Sequence, residues 1–432
     1  MAILFSDVTA VTMDRERRIL PHAFVSVEGR KIQSVSQTLP EGSFERVIDG
    51  RGKVLMPGLV NAHTHLPMTV MRGFGGGHDL QTWLNDYIFP TEDKLDSRCV
   101  RAGTSLALAE LISCGVTAVE DMYYFCEAML EAILPSGLNA NLCRAVTCFQ
   151  PIEKPEEYLS CREMRTLAEN WNGYNDGQLL VDVSIHGEYT SPPNLWEYLG
   201  RYAADHKLGM HVHISETQSE HQNCLKNSGK TPLHRLDQYG VWECGRSLAA
   251  HCVWCEEEDF ALMAEKNITA VHNPVSNLKL GSGVAPVPEM LRAGVNVALG
   301  TDGVASNNSH DLFEELKLAA LLPCGIRRDP TALTAMQALE MATVNGARAL
   351  GRTTGSIQPG YDADLILLDF QRPSLFPCHD VAENLVYSAH GSDVCLTMAR
   401  GNILYENGVF HTIDLDQVRW EMEHYVLPHM FG

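Results

Sequence analysis

The sequence predicts an α/β protein: a (β/α)8 TIM barrel accompanied by a small composite β-sandwich drawn from both ends of the chain. Three observations carry that prediction. Short apolar runs of strand length alternate with helical stretches, and there are eight of them, the count of a closed barrel. Polar residues suited to metal binding or proton transfer close several of these runs, which is where barrel enzymes keep their chemistry. Both ends of the chain instead show short alternating stretches parted by Gly, Pro and Asp, and neither end alone has enough strands to bury a core.

In chain order, residues 23–27 alternate in the manner of a strand and meet a turn at Glu28-Gly29-Arg30. The barrel-type runs are 55–62, 116–121, 139–146, 179–185, 209–214, 247–253, 268–273 and 295–300. Between them, 98–114 and 311–322 have the clearest helical patterning, the first stopping before Gly115 as a helix-terminating glycine. Beyond residue 351, the stretches 363–369 and 394–406 again look like strands. The expected division is a discontinuous sandwich from 1–57 and 354–432 around a barrel of 58–353.

With 432 residues, 45% of them apolar, the chain has ample material for a large core. A net charge of −21 with no Lys/Arg-rich run repels phosphate backbones, so nucleic acid polymers are not expected partners. No stretch has the 18 apolar residues of a membrane span, and the N-terminus lacks the basic and apolar regions of a signal peptide. The expectation is a cytoplasmic protein with no membrane partner. Thirteen scattered cysteines suggest reduced core thiols rather than a disulfide framework, and the Cys252/Cys255 pair has no second such pair to complete a zinc site.

His63 and His65 are two residues apart at the end of an apolar run, so both rings face one side of the strand. His213, His251 and Asp302 close later runs in the same manner. Three neutral imidazoles out of these four, with the one carboxylate, suit a borderline divalent ion such as Zn²⁺ or Fe²⁺ and leave room for a water.

The run Pro-Gly-Leu-Val-Asn-Ala-His-Thr-His at 57–65, His213, His251, Gly-Thr-Asp-Gly at 300–303 and the segment 355–365 together resemble the amidohydrolase superfamily. The stretches 65–69, 83–84, 272–283 and 301–308 resemble, more narrowly, its 5′-methylthioadenosine/S-adenosylhomocysteine deaminases. That resemblance implies a barrel of the metallo-dependent hydrolase type holding one divalent ion, Zn²⁺ in the first place with Fe²⁺ as the alternative. It implies His63, His65, His213 and Asp302 as ligands, His211 being an alternative to His213. The fourth run ends at His186, with no lysine available to bridge a second ion.

The implied reaction is hydrolysis of the 6-amino group of an adenine nucleoside. Glu216 is implied as the proton shuttle, His251 as the residue that polarises the attacking water, and Asp302 as both ligand and proton acceptor; Glu220 is expected to be a solvated bystander. For the substrate, Glu92 would receive the ribose hydroxyls, a task suited to a carboxylate. Trp83 would wall the 5′ substituent, His186 would meet the purine, Ser306 would add a contact, and Arg144 would meet an amino-acid carboxylate. The loop after the third run offers only Lys154 as a further cation, among Glu153, Glu156 and Glu157. Lysine does not reproduce an arginine fork, so uncharged 5′ substituents are expected over S-adenosylhomocysteine. The triple glycine at 75–77 suggests a mobile lid or a reshaped pocket, with His78 and Asp79 on its surface. A homo-oligomer fits the resemblance. The competing readings are deamination of a pterin, an oxidised guanine or an s-triazine on the same site, or a scaffold without activity.

Overall fold

Gly58 marks the junction between the two parts of the molecule. The computed structural model of the chain describes residues 2–432. The strand expected over 55–62 is two strands, Lys53–Pro57 in a mixed sheet and Leu59–Thr64 in the barrel. Between them the Gly58 N–H bonds to the Asp364 carbonyl, and a Cβ at Gly58 would lie 2.1 Å from the Thr117 side chain. An unbroken apolar run hides that break because both strands are buried on both faces.

Among the described residues, eight parallel strands follow one another round the barrel: Leu59–Thr64, Val116–Tyr123, Asn139–Arg144, Leu179–Val181 continued by Val183–Gly187, Met210–Ile214, Ser247–His251, Ile268–His272 and Val297–Leu299. The fourth is interrupted at Asp182, whose carboxylate accepts the Gly209 N–H and pairs with Arg246. The ring closes where the Asp302 N–H donates to the His63 carbonyl at 3.0 Å and Thr64 bridges to Asp302. The helix expected over 98–114 is Ser97–Ser113, capped by Asp96 and followed by Gly115 at φ 86°. That expected over 311–322 continues to Arg327, because Pro323 forfeits a single intrahelical bond and the Arg328 N–H still closes the last turn on Cys324.

Strands from both ends of the chain join in one nine-stranded sheet rather than two separate ones. Its centre is the antiparallel pair Lys53–Pro57 and Leu365–Asp369. The side-chain period of two divides these strands between two cores: Leu55, Leu365 and Leu367 face the sheet's own interior, whereas Val54, Met56, Ile366 and Leu368 pack with the barrel. The sheet curls until residues 30–32 bond to 360–363, so two layers arise from one ladder. The C-terminal helix Leu415–Glu421 with its continuation packs on the barrel instead, through Arg98–Glu421, Tyr425–Asp96 and Phe74–Phe431 contacts. All thirteen cysteines are free, and no helix among the described residues is long and apolar enough to cross a membrane.

Replacing Gly58 with alanine should destabilise the protein by about 1–3 kcal/mol, the usual cost of overpacking a core. Adding Thr117→Ala should restore part of the loss, since it removes the two nearest atoms. Denaturant titration of the single and double variants measures both effects.

Candidate metal centre and active site

The first barrel strand ends with His63 and His65 side by side, their ring centroids 4.9 Å apart and nearly perpendicular. From the eighth strand Asp302 brings one carboxylate oxygen to 3.3 Å from His63 Nε2 and 3.1 Å from His65 Nε2. Its other oxygen accepts hydrogen bonds from Ser276 and Ser306. His213 and His251 close the fifth and sixth strands with rings 5.5 Å apart. His63, His213, His251 and Asp302 each offer a donor atom within 4.8 Å of the others; His65 stands outside that mutually close set while sharing the Asp302 oxygen.

Backbone carbonyls orient the imidazoles. His65 Nδ1 is 2.6 Å from the Met122 carbonyl and His213 Nδ1 is 2.6 Å from the His186 carbonyl. A carbonyl only accepts, so each Nδ1 carries a proton, and in the neutral ring each Nε2 keeps its lone pair, that of His65 facing Asp302. His251 Nδ1 meets the Asn277 side-chain oxygen at 2.8 Å. Aiming these side chains inward uses left-handed backbone at Ser215, His251 and Asp302, with φ of 48°, 72° and 58°, strained conformations that cluster at functional sites.

The donor set fits a divalent ion. His63 Nε2 is buried without a hydrogen-bond partner among the described residues, and its contact with Asp302 is longer than a charge-assisted hydrogen bond. Burial works against charge on Asp302, but His63, His65 and His251 outweigh it and hold the carboxyl well below its usual range. Burial lowers the His63 pKa to about 3, keeping that ring neutral, as a ligand must be.

Glu216 follows the fifth strand and lies 3.9 Å from His251 Nε2, with the Ser282 hydroxyl donating to its other oxygen. Burial raises its pKa although His251 opposes the shift, which favours the protonated form that a proton donor needs. Glu220, expected to be solvated, is buried and accepts the Ser215 and Glu216 N–H groups, both at 2.8 Å. It therefore holds the turn that presents Glu216. Sequence reasoning missed it because a polar run such as Ser-Glu-Thr-Gln-Ser-Glu looks solvated when its backbone bonds are out of view.

Trp83, Glu92, His186, Glu216 and Ser306 line one cleft together with His65, His213, His251 and Asp302. Leu80, Leu84, Ile88 and Phe89 form its apolar wall. Glu92 accepts a hydrogen bond from Tyr123, a partner the sequence did not signal, and burial pushes its carboxyl up to about 7. Arg144 departs from expectation. It pairs with Glu163 at 2.7 Å, donates to the Ala145 carbonyl and stacks on Tyr124, which sets it in a neighbouring recess outside the cleft. Lys154 is exposed and paired with Glu157. Asp79 caps the helix Leu80–Thr82 and His78 stacks on Tyr87. Cys252 lies buried, its thiol on the Ala249 carbonyl.

Replacing Glu220 with alanine should orphan two buried N–H groups at about 1–3 kcal/mol each and lower turnover through loss of Glu216 placement. Denaturation and steady-state kinetics on the same preparation measure the two effects; a stable, fully active variant would contradict the assignment.

The chain belongs to the amidohydrolase family, whose model matches residues 54–404. A 5-methylthioadenosine/S-adenosylhomocysteine deaminase from Caldanaerobacter subterraneus subsp. tengcongensis is 39% identical over 425 residues, 98% of this chain and 97% of that one. A 5′-deoxyadenosine deaminase from Methanothermobacter thermautotrophicus is 41% identical over 390 residues, covering 90% and 91% of the two chains. The solved structure of an adenosine deaminase from Xanthomonas campestris with bound zinc aligns with a TM-score of 0.92 at 30% identity, over 100% of this chain and 99% of that one. Membership bears out the expected barrel fold and the expected class, a hydrolase of C–N bonds.

Proposed function

We propose that this protein removes the 6-amino group of an adenine nucleoside by hydrolysis, releasing ammonia and the inosine analogue. The observation that carries this reading is the shared cleft. Glu216 and His251 stand at one part of it, and Glu92, held by Tyr123, supplies a hydrogen-bond acceptor elsewhere in the same cavity. A carboxylate can accept both hydroxyls of a ribose diol, a feature that free bases lack. Relatives named for deamination of 5-methylthioadenosine, S-adenosylhomocysteine and 5′-deoxyadenosine, each matching 90% or more of the chain, support it.

His63, His65, His213 and Asp302 would hold one divalent ion, with Zn²⁺ preferred over Fe²⁺ because the donors suit zinc and the solved relative carries it. When bound, the ion supplies activation of water at neutral pH. His251, 3.9 Å from Glu216, orients the attacking water. Glu216 takes one proton from the attacking water and delivers it to the ring nitrogen beside the reacting carbon, then carries that water's second proton to the departing amino group so that ammonia leaves neutral. His186 and Trp83 bound the base and the 5′ side of the cleft.

The 5′ substituent is uncharged in this reading. Arg144 is already neutralised by Glu163 and Lys154 by Glu157, which leaves no free cation among them for an amino-acid carboxylate. The expected order of kcat/KM therefore places 5′-methylthioadenosine, 5′-deoxyadenosine and adenosine above S-adenosylhomocysteine, with free adenine inactive; ammonia release over that panel tests it. Turnover by free adenine or a pterin at the nucleoside rate would refute the nucleoside assignment. Glu216→Gln and Asp302→Asn should each lower kcat by about 10²–10⁴-fold with the fold retained, and chelation should abolish an activity that zinc restores. Glu92→Ala should raise KM for nucleosides, as read from initial rates.

A further inference from the structure

His65 and His213 have their tautomers set by carbonyls, but His63 does not. Its Nδ1 lies 2.9 Å from Nε2 of His211, and between two imidazole nitrogens one must donate and the other accept. The contact alone is indifferent to direction, so what decides it lies one layer deeper. His211 is wholly buried inside the barrel, its Nδ1 3.4 Å from Glu120 Oε1 and 3.7 Å from Cys143 Sγ. The Cys143 thiol donates to the Asp121 carbonyl, which leaves its sulfur only as a weak acceptor. Both Glu120 oxygens are buried without a hydrogen-bond partner among the described residues. Burial favours a proton on Glu120, and so does the charge of Asp182, whose carboxylate is held by Arg246 and Asn141.

Two arrangements would satisfy Glu120. In the first, Glu120, Cys143 and His211, whose donor atoms lie within 4.8 Å of one another, bind an inner ion. Coordination through His211 Nδ1 leaves the His211 proton on Nε2, aimed at His63 Nδ1. His63 must then accept there and carry its own proton on Nε2, which closes that nitrogen to an ion beside Asp302. Inner and outer sites exclude each other. In the second, Glu120 keeps a proton, donates it to Asp182 through one oxygen and accepts the His211 Nδ1–H through the other. His211 Nε2 then accepts the Nδ1 proton of His63, and His63 Nε2 is left bare toward Asp302. One placement of protons satisfies the whole chain from Arg246 to His63.

We propose that Glu120, acting through His211, is a positioning residue that sets the tautomer of His63 and so completes the metal-binding face. The inference rests on the metal reading given under Proposed function. An amide reproduces the pattern of a neutral acid, accepting from His211 and donating to Asp182, whereas leucine fills a similar volume with neither. Zinc affinity of the full chain, measured by chelator competition, should therefore fall about 10–100-fold in Glu120→Leu, the usual effect of losing a partner behind a ligand. Glu120→Gln should stay close to the unsubstituted protein, with one zinc per chain in both. Should Glu120→Leu fail to fold, Glu120→Gln and the unsubstituted protein still decide the matter: ¹⁵N-histidine NMR of the zinc-loaded protein should show His211 protonated at Nδ1. Equal affinity in Glu120→Leu, lost affinity in Glu120→Gln, an Nε2–H tautomer for His211, or a second zinc that Glu120→Gln releases would each overturn the proposal. Failure of the unsubstituted protein to bind zinc would overturn the metal reading itself, and this inference with it.

Discussion

The hydrogen bond from the Asp302 N–H to the His63 carbonyl closes the barrel and, in the same contact, brings a carboxylate onto two imidazoles. Fold and site are therefore not separable at this seam. Asn61 reinforces it, its side chain accepting the Thr301 N–H and donating to the Thr301 hydroxyl, while the Thr64 hydroxyl donates to the Asp302 carbonyl. These bonds hold Asp302 in a left-handed conformation. Ser276 and Ser306 occupy its second oxygen, which leaves the first free for the histidines.

The remaining groups are arranged around that carboxylate by a simple rule: acceptors lie behind the imidazoles and lone pairs lie in front. Met122 and His186 provide the acceptors as main-chain carbonyls, and Asn277 provides one as a side chain. The two glutamates after the fifth strand divide their labour by burial and bonding. Glu220 spends both oxygens on backbone N–H groups, whereas Glu216 keeps one oxygen toward His251 and the cleft. Position relative to the strand end, rather than residue type, distinguishes the carboxylate that braces the turn from the one that faces the cleft.

What the sequence made legible follows from local rules. A His-x-His at a strand end faces one way whatever the tertiary context, and eight apolar runs with polar ends imply a barrel with its chemistry on one rim. Features set by partners far along the chain were out of reach. The unbroken run through Gly58 gave no sign of two strands, because the break comes from the bond to Asp364 and the approach to Thr117. Arg144 looked available until Glu163, a helical residue with no motif around it, was seen to neutralise it. The carbonyls of Met122 and His186 carry no signature at all, since every residue has one. Glu120 and Cys143 lay inside apolar strand runs, where a lone polar residue is hard to tell from a packed one.

Concentrating so many polar groups in a barrel interior has an energetic consequence. Burial holds His63, His186 and His272 neutral, at pKa values of about 3, 4 and 3, while Asp302 stays ionised among them. A carboxylate so placed is costly unless a cation is near. Without an ion that role falls to His65, whose pKa rises to about 9 because Asp302 outweighs the burial that opposes its charge. Were His65 to hold an ion as proposed, the ion would take over that role and its binding would be coupled to loss of the His65 proton. The apolar cores of the barrel and the curled sheet hold the frame around these charged groups. At the rim the site shows left-handed backbone at Ser215, His251 and Asp302 and an unpartnered Nε2 on His63, whereas the first, fifth and sixth barrel strands are buried along their length.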